Sequence, residues 1–316
     1  MDPHYPDVGI EFNSDAIRLA EIAAEKGKIQ IRHLDEERLP PDTIEITPFK
    51  PNIISLERAA EALRKLWARY RTRASKICVL LQDRSALTFN VSLENPATRP
   101  EETLDLIRFK LKKSVPFRMD EAKITYFNDH GIPDHTNRNL WTVLINNQVL
   151  HQYEEFIKSA IDSECGLVDL STFNIMNLAH AQIAKAKMED QDILFVNLNR
   201  DYISLAIIQK GKLTFYRSRD LEGQNGFLDE AIAEIHPATL FYVDKLEGKS
   251  LSRVFVYSFE NSEEACSRLE RDLQLPCSIL SVGDLSGVQI DPSRRMQLQT
   301  FAPLVGLLVS RRVEFA

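Results

Sequence analysis

The chain has 316 residues, of which 44% are hydrophobic and 27% are charged, a composition typical of a globular protein large enough for two or more domains. Its formal net charge of −7 at pH 7 argues against a dedicated nucleic-acid-binding protein. The four cysteines lack the spacing of a metal site and are expected to be the reduced thiols of a cytoplasmic protein.

No segment of the sequence is expected to enter or cross a membrane. The first seven residues have neither the basic region nor the apolar run of a signal peptide. The longest apolar stretch near the end, residues 301–309, is far shorter than the roughly 20 residues that span a bilayer. We therefore expect membrane association only through a partner protein.

Two segments far apart in the chain, residues 8–31 and 196–215, share one pattern. Each predicts a strand, a polar turn, a second strand with alternating hydrophobicity, and a hairpin that contains a Gly-Lys pair. When the two segments are aligned at an offset of 186 positions, six pairs of residues are identical: Asn13 with Asn199, Asp15 with Asp201, Ile17 with Ile203, Leu19 with Leu205, Ala20 with Ala206, and Ile22 with Ile208. Identical residues inside the turn favour duplication over a chance match. We therefore predict two related domains that face a shared cleft.

The chain after the first hairpin predicts a helix followed by a buried strand. Ser55 is expected to cap a helix whose apolar face runs from Leu56 to Tyr70. Residues 76–81 contain a continuous apolar run, which is typical of a strand covered on both faces. Together with the hairpin, these elements predict a first α/β subdomain at residues 1–84.

Residues 85–171 predict a small α+β domain inserted into the first half. The pattern is strand, helix, strand, strand, helix and strand, at residues 87–93, 100–113, 123–127, 140–145, 149–161 and 167–170. The first helix has the clearest signals, because Pro100 and two glutamates begin it and two lysines end it.

The rest of the chain predicts a return helix, a second α/β subdomain and a terminal helix. A helix near residues 174–186 is expected to bring the chain back to the first subdomain within residues 172–190. The second subdomain is predicted at residues 191–293. Its elements after the hairpin are helices at 226–235, 237–245 and 261–273 and strands at 254–257 and 277–280. Residues 294–316 are expected to contain a helix, 295–309, that packs back on the core.

Six segments carry a resemblance to one protein family: Val8-Gly-Ile-Glu11-Phe-Asn13-Ser14, Lys113-Ser-Val-Pro116-Phe117, Val196-Asn197-Leu-Asn199-Arg200, Phe215-Tyr-Arg217-Ser-Arg219, Ala238-Thr-Leu-Phe-Tyr242 and Ala302-Pro-Leu-Val-Gly306-Leu-Leu308. In their order and spacing they resemble the PilM family of type IV pilus assembly proteins, which belongs to the actin-like superfamily and is related to the cell-division protein FtsA. The resemblance covers nearly the whole chain. It implies an α/β, actin-like fold of duplicated ribonuclease H-like domains, with an insert in the first half like the 1C or SHS2 domain of FtsA.

The resemblance also implies where a nucleotide would lie if one binds. The implied positions are Glu11, Asn13, Ser14, Arg18, Asn197, Asn199 and Gly306. In actin-like ATPases, glycines in the two polar turns let the backbone approach the phosphates, and aspartates hold Mg²⁺ and water.

This chain departs from that pattern at most of these positions. The two turn glycines are replaced by Asn13 and Asn199, and the second aspartate by Asn197. The Gly-Gly pair expected beside the adenine ring is replaced by Ser258-Phe259-Glu260. Asparagine side chains would project where phosphate should sit, and loss of a carboxylate weakens Mg²⁺ binding. We therefore expect no catalytic residues, no bound cofactor and at most weak binding of ATP with Mg²⁺.

What the resemblance implies for function is a cytoplasmic scaffold, peripheral to the inner membrane, in the assembly platform of a type IV pilus or a related secretion system. In that family the protein captures a short peptide from the cytoplasmic tail of a membrane partner, PilN, and the insert also mediates self-association. We expect a PilN-like peptide to bind the insert near Leu104, Arg108, Pro116 and Phe117, along a strand edge or beside the helix at 100–113. No nucleic-acid partner is expected.

Two alternatives to a non-catalytic scaffold stay open. In the first, the chain is a nucleotide-binding actin-like ATPase that polymerises or switches with ATP, with Glu11 in place of the aspartate and Arg18 gripping a phosphate. In the second, it is a filament-forming relative of FtsA, which should carry a terminal amphipathic membrane helix. Residues 311–316 do not predict such a helix, which disfavours the second alternative.

The seven histidines show no metal-ligand spacing, so no metal site is predicted.

Overall fold

The first half of the protein is built on one mixed β-sheet. The computed structural model describes residues 5–25, 28–70, 74–94, 99–129, 138–222, 227–280, 288–289 and 295–309. The chain begins with strands β1 (Val8–Phe12), β2 (Ala16–Glu25) and β3 (Lys28–Arg38), helix α1 (Leu56–Arg69) and strand β4 (Lys76–Leu81). β1 pairs antiparallel with β2 and parallel with β4, so it lies inside the sheet. All five residues of β1 are buried, because both faces of the sheet are covered.

Helix α1 is held by its apolar face. Its buried residues are Ala59, Ala62, Leu63 and Leu66, which share one side of the helix. Ser55 precedes the helix as predicted, but its side chain makes no capping hydrogen bond. Burial of the apolar face against the sheet therefore fixes this helix, and a side-chain cap does not.

A small insert follows, with its own sheet and its own core. Its elements are β5 (Leu87–Ser92), α2 (Pro100–Leu111), β6 (Ala122–Phe127) and β7 (Asn139–Asn146). The strands form an antiparallel sheet in the order β5-β7-β6. Helix and strands together bury a separate cluster that includes Ile107, Leu111, Leu140 and Leu144. β5 and β6 are therefore the two edges of this sheet.

The structure corrects the predicted end of the insert at residue 171. Helix α3 (Asn147–Ile161) and strand β8 (Glu164–Leu170) belong to the first half. β8 pairs parallel with β4 at the edge of the first sheet. The rings of Tyr153 and Phe156 on α3 pack against Phe12 of β1, with centroids 5.1 and 6.0 Å away. A hydrophobic pattern predicts a strand but not the sheet that it joins, so the pattern alone places this boundary too late.

Helix α4 (Ser171–Lys185) leads to a second half that repeats the order of the first. Its elements are β9 (Asp192–Leu198), β10 (Tyr202–Gln209), β11 (Lys212–Asp220), α5 (Phe227–Lys245), β12 (Arg253–Ser258), α6 (Ser262–Leu273) and β13 (Cys277–Ile279). The strand order is β11-β10-β9-β12-β13, which corresponds to β3-β2-β1-β4-β8 in the first half.

Details of the turns confirm that the two halves are copies of one unit. The backbone N–H of Asn13 closes the first polar turn at 3.0 Å, and that of Asn199 closes the second at 2.9 Å. A bulge interrupts each hairpin ladder at aligned positions, before Ile22 in the first half and before Ile208 in the second. The predicted duplication is therefore present in backbone geometry as well as in sequence.

Helix α5 continues through Pro237, where the sequence predicts two separate helices. An internal proline removes one backbone hydrogen bond and bends a helix. Ile235 and Ala238, on either side of it, are both buried in the core of the second half. Because the two parts pack against one core, the helix stays continuous.

The last described residues return to the first half. Strand β14 (Val288–Gln289) pairs with β3, and helices α7 (Arg295–Thr300) and α8 (Ala302–Val309) follow. The prediction of one helix over residues 295–309 is corrected, because Phe301 separates two helices. Pro303 lies in the first turn of α8, a position that suits proline and favours a new helix start. All eight residues of α8 are buried, and the helix packs on α4 and the first sheet, as expected for the terminal segment.

Besides the core of the insert, three hydrophobic cores divide the two halves of the molecule into layers. One lies between the first sheet and helices α1 and α3, and another between the second sheet and helices α5 and α6. The third lies between the two sheets and contains α4 and α8. Near the ends of β1, β4, β9 and β12, its hydrophobic side chains are replaced by buried polar ones. This polar end of the inner layer is the cleft between the two halves.

Candidate functional site

Four strand ends supply the side chains of the cleft. Asn13 follows β1, Gln82 follows β4, Asn199 follows β9 and Phe259 follows β12. β1 runs parallel to β4, and β9 runs parallel to β12, so each pair of strands ends on the same edge of its sheet. Open α/β sheets commonly bind ligands at such carboxyl ends. The duplicated fold therefore places the two predicted polar turns opposite one another.

A buried ionic group occupies the first-half side of the cleft. Glu11 on β1 lies directly opposite Arg18 on β2 in the strand register. Arg18 Nη1 lies 3.0 Å from Glu11 Oε2, and Arg18 Nε lies 2.7 Å from Glu36 Oε2. The side chains of Glu11 and Arg18 are each only 3% exposed. One guanidinium therefore pairs with two carboxylates, of which Glu11 is buried and Glu36 is partly exposed.

Burial and the neighbouring charges shift the pKa values of Glu11 and Arg18. Burial raises the pKa of the Glu11 carboxyl, and Arg18 only partly offsets that effect. Burial alone would lower the pKa of the Arg18 guanidinium, but Glu11 and Glu36 outweigh it and the pKa is raised. Arg18 therefore stays charged, and its charge is balanced by Glu11 and Glu36.

An aromatic ring joins the two halves above this ionic group. The Phe259 ring centroid lies 4.7 Å from Cζ of Arg18 and 4.8 Å from Cζ of Arg200. These are cation–π distances. The backbone N–H of Phe259 donates to the carbonyl of Leu198 at 3.0 Å, which holds the ring beside the second polar turn. Phe259 thus contacts arginines from both halves of the molecule.

Ion pairs also cross the cleft. Arg200 lies 2.6 Å from Asp15 of the first half and 2.7 Å from Glu260 of its own half. Arg84 of the first half lies 3.3 Å from Asp201 of the second. We call Asp15, Arg84, Arg200, Asp201 and Phe259 the cross-cleft clasp. These contacts tie the two polar turns to one another.

The floor of the cleft is organised by a buried aspartate. Asp83 is 2% exposed and accepts hydrogen bonds from the backbone N–H of Thr172 at 3.1 Å and from Ser204 Oγ at 3.0 Å. The Thr172 hydroxyl also donates to it. Burial raises the pKa of the Asp83 carboxyl, and these hydrogen bonds offset that effect only in part. Asp83 therefore links the end of β4, the first turn of α4 and strand β10.

The sequence matches the family model of the type IV pilus assembly protein PilM over residues 9–238. The chain belongs to the PilM family. Its fold is similar to that of a solved PilM–PilN type IV pilus biogenesis complex, with a TM-score of 0.76 and 16% identity over 99% of this chain and 100% of that chain. It is also similar to a protein of unknown function with an actin-like ATPase fold from Bacteroides thetaiotaomicron, with a TM-score of 0.53 and 9% identity over 94% and 95% of the two chains. These similarities confirm the predicted actin-like fold.

In this PilM-family chain, side chains at several implied nucleotide positions bind other side chains of the protein. The Glu11 carboxylate is held by Arg18, and Asn199 Nδ2 donates to the Tyr202 hydroxyl at 3.0 Å. Within the described ranges, no group of three or more His, Cys, Asp or Glu side chains is placed to hold a metal ion. Mg²⁺ needs oxygen ligands that face the bound phosphate. Arg18 already neutralises the Glu11 carboxylate, which does not favour Mg²⁺ binding by Glu11.

Three amide side chains of the cleft have unused hydrogen-bonding atoms. Gln82 Nε2 donates to Asn13 Oδ1 at 3.0 Å, and Asn197 Nδ2 donates to the Thr172 hydroxyl at 2.6 Å. Asn13 Nδ2, Gln82 Oε1 and Asn197 Oδ1 are buried and have no partner among the described residues. Neutral donors and acceptors of this kind suit ordered water. They do not supply the charge that a triphosphate and Mg²⁺ require.

Gly306 lies against helix α4. A Cβ atom at this position would lie 2.4 Å from the carbonyl oxygen of Asn174 and 3.2 Å from Leu178. The close packing of α8 on α4 therefore requires glycine here. The assignment of Gly306 as a nucleotide-binding position stays a prediction.

Sequence reasoning missed the residues that follow β4. Gln82 donates a hydrogen bond to Asn13, Asp83 accepts one from the first turn of α4, and Arg84 forms an ion pair with Asp201. No sequence motif indicated these three residues. Glu36, the second carboxylate on Arg18, was missed as well. A usable signal was the polar run that directly follows the continuous apolar run of residues 77–81. Such a run lies at the sheet edge where parallel strands end together.

The predicted partner-binding residues lie on the insert. Leu104 and Phe117 are half-buried and pack at the margin of the insert core. Pro116 is exposed, and Arg108 is exposed and forms an ion pair with Asp105 at 3.0 Å. Among the residues that the structure describes, no helix is long and apolar enough to cross a membrane.

Proposed function

We propose that this PilM-family chain is a non-catalytic scaffold of a type IV pilus assembly platform that holds the cytoplasmic tail of a PilN-like membrane protein. The observation that carries this proposal is the whole-length similarity to the PilM of a PilM–PilN complex. The match includes the insert, since it covers 99% of this chain. In this function the protein lies in the cytoplasm, at the inner face of the membrane that holds the partner.

The tail peptide binds the insert, at the margin formed by α2 and β6. β6 is an edge strand, so its free side can pair with an extended peptide. Half-buried hydrophobic side chains lie at the margin of the insert core, among them Leu104, Phe117, Met119 and, on β6 itself, Tyr126. Such side chains offer shallow pockets for alternate residues of an added strand. Arg108 at the same margin can pair with an acidic residue of the peptide.

The cleft in this proposal holds no nucleotide. A base stacked beside β12 would have to displace Phe259 from Arg18 and Arg200. A phosphate on Arg18 would have to separate it from Glu11 and Glu36 and leave a buried carboxylate without its cation. The cross-cleft clasp supplies instead the contacts between halves that a bound nucleotide provides in an ATPase of this fold.

The peptide proposal is tested by titrating a fluorescent peptide from the cytoplasmic tail of the neighbouring membrane protein with the full chain. Fluorescence anisotropy is expected to give saturable binding. Arg108→Glu, on the exposed side of α2, and Phe117→Ser should each weaken binding by about tenfold. Val243→Ser is the control, because Val243 is 54% exposed but lies on α5 of the second half. Absence of saturable binding, or equal affinity in all four proteins, would rule the peptide site out.

A further inference from the structure

One side of helix α2 combines exposed hydrophobic and basic side chains. Phe109 is 76% exposed and Leu106 is 38% exposed. Lys110 and Lys113 are exposed as well. Their spacing, three, four and seven residues after Leu106, places all four along one line of the helix and the turn that ends it. We call Leu106, Phe109, Lys110 and Lys113 the α2 stripe.

The charge around the α2 stripe is opposite to that of the whole chain. Residues 106–118 include Arg108, Lys110, Lys112, Lys113 and Arg118 and contain no Asp or Glu, whereas the chain has a net charge of −7. Arg108 and Arg118 pair with aspartates at 3.0 and 2.6 Å. The three lysines have no ion-pair partner within the described part of the chain. Their positive charge is therefore open to a ligand.

Helix stability explains only part of this arrangement. Lysines at the end of a helix interact favourably with its carbonyl end, which accounts for some of the basic charge. It does not account for Phe109, the most exposed large hydrophobic side chain in the described residues. An exposed aromatic ring beside unpaired lysines is complementary to a surface that is both apolar and negatively charged.

We infer that the α2 stripe binds directly to the surface of an anionic phospholipid bilayer. Leu106 and Phe109 insert at the boundary between headgroups and acyl chains, and the lysines lie against headgroup phosphates. This goes beyond the proposed function and beyond the sequence-based expectation, in which the membrane is reached only through a partner. Leu104 and Arg108 of the peptide site project from another flank of α2, so one molecule can bind peptide and bilayer together.

The attachment is expected to be weak and reversible. One short stripe buries little hydrophobic area, and each lysine near an anionic surface strengthens binding by about fivefold. The contact therefore matters most when the partner's tail already holds the protein at the membrane, because tethering raises its effective concentration at the bilayer. It would orient the insert toward the membrane.

Sedimentation with lipid vesicles tests the inference on the full chain without any partner. Binding is expected with vesicles of mixed phosphatidylglycerol and phosphatidylcholine, and it should weaken as salt is added. Phosphatidylcholine vesicles alone should not bind. Lys110→Gln combined with Lys113→Gln should lower the binding constant by roughly 25-fold, and Phe109→Ser should lower it several-fold.

The control is Leu240→Ser, which replaces a side chain that is 63% exposed on α5 of the second half and should leave vesicle binding unchanged. All replaced side chains are exposed, so equal thermal unfolding temperatures show that folding is intact. The inference is overturned if the protein fails to sediment with anionic vesicles, or if the stripe variants and the control bind equally. An acidic protein surface would then be the candidate ligand of the stripe. Peptide binding measured without lipid is independent of either result.

Discussion

Arg18 makes contacts that a lysine at the same position would not make. Its planar guanidinium pairs with Glu11 through one edge and with Glu36 through another, and its face lies against Phe259. A lysine has one compact charge and no face of this kind. The charge of Arg18 is therefore balanced by carboxylates of the protein itself.

The buried ionic group predicts a clear mutational signature. Arg18→Met leaves Glu11 buried without its cation and should lower the free energy of unfolding by about 3–5 kcal/mol. The double variant Glu11→Gln with Arg18→Met removes that charge and should recover more than half of the loss. Urea unfolding of the three proteins measures both quantities. Equal losses in the single and double variants would contradict a role for the buried charge.

Asp83 predicts a pH dependence of stability. Burial raises the pKa of the Asp83 carboxyl in the folded state. The contribution of Asp83 to the free energy of unfolding is therefore fully present below the unfolded-state pKa, near 3.9. The contribution is lost as pH rises through the folded-state value. The free energy of unfolding of the wild type minus that of Asp83→Asn should therefore fall as pH rises above about 4. Denaturant unfolding at several pH values checks this, and a difference that stays constant or grows would contradict it.

At the scale of elements, local patterns predicted most of the fold. The two hairpins, helices α1, α2 and α6 and the buried strands β4 and β12 have strong signals, because one apolar face or a continuous apolar run specifies each of them. The bulges before Ile22 and Ile208 follow from the same duplication. Element type and order could therefore be read from the sequence.

Contacts between distant residues could not be read in this way. Phe259 was recognised as a departure from the family pattern, but its contact with Arg18 joins residues far apart in the chain. The joining of β8 to β4, across the whole insert, depends equally on tertiary packing. The site was thus predicted at the turns, while the clasp that closes it was not.

Helix packing predicts the effect of a single methyl group. Gly306→Ala brings a Cβ within 2.4 Å of the Asn174 carbonyl oxygen on α4, and backbone on both sides must shift. The loss in the free energy of unfolding should be about 1–3 kcal/mol. Gly166→Ala on β8 is the control, because its Cβ would meet the Pro6 side chain at 3.0 Å, and it should lose less. A Gly306→Ala protein as stable as the wild type would contradict the close α4–α8 contact.

At the scale of the molecule, the clasp predicts how the two halves move. Arg200→Ala removes the bridge to Asp15 and one of the two arginines on Phe259. Hydrogen–deuterium exchange should then become faster in the two polar turns, at residues 13–16 and 199–202, because the halves separate more often.

Arg268→Ala is the matched control for this experiment. It breaks ion pairs with Asp229 and Asp272 in the second half and touches no residue of the clasp. The two polar turns of Arg268→Ala should exchange their amide hydrogens at the wild-type rate. Unchanged exchange in the turns of Arg200→Ala would show that the clasp does not hold the cleft closed.

We propose that the cleft of this PilM-family scaffold is closed by its own side chains and holds no nucleotide. Thermal unfolding of the full chain with and without about 5 mM Mg-ATP tests it most directly, since a ligand at a hundred times its dissociation constant adds about 2.7 kcal/mol to the free energy of unfolding. We predict the same unfolding temperature in both conditions. A rise in that temperature that grows with ATP concentration would contradict the claim.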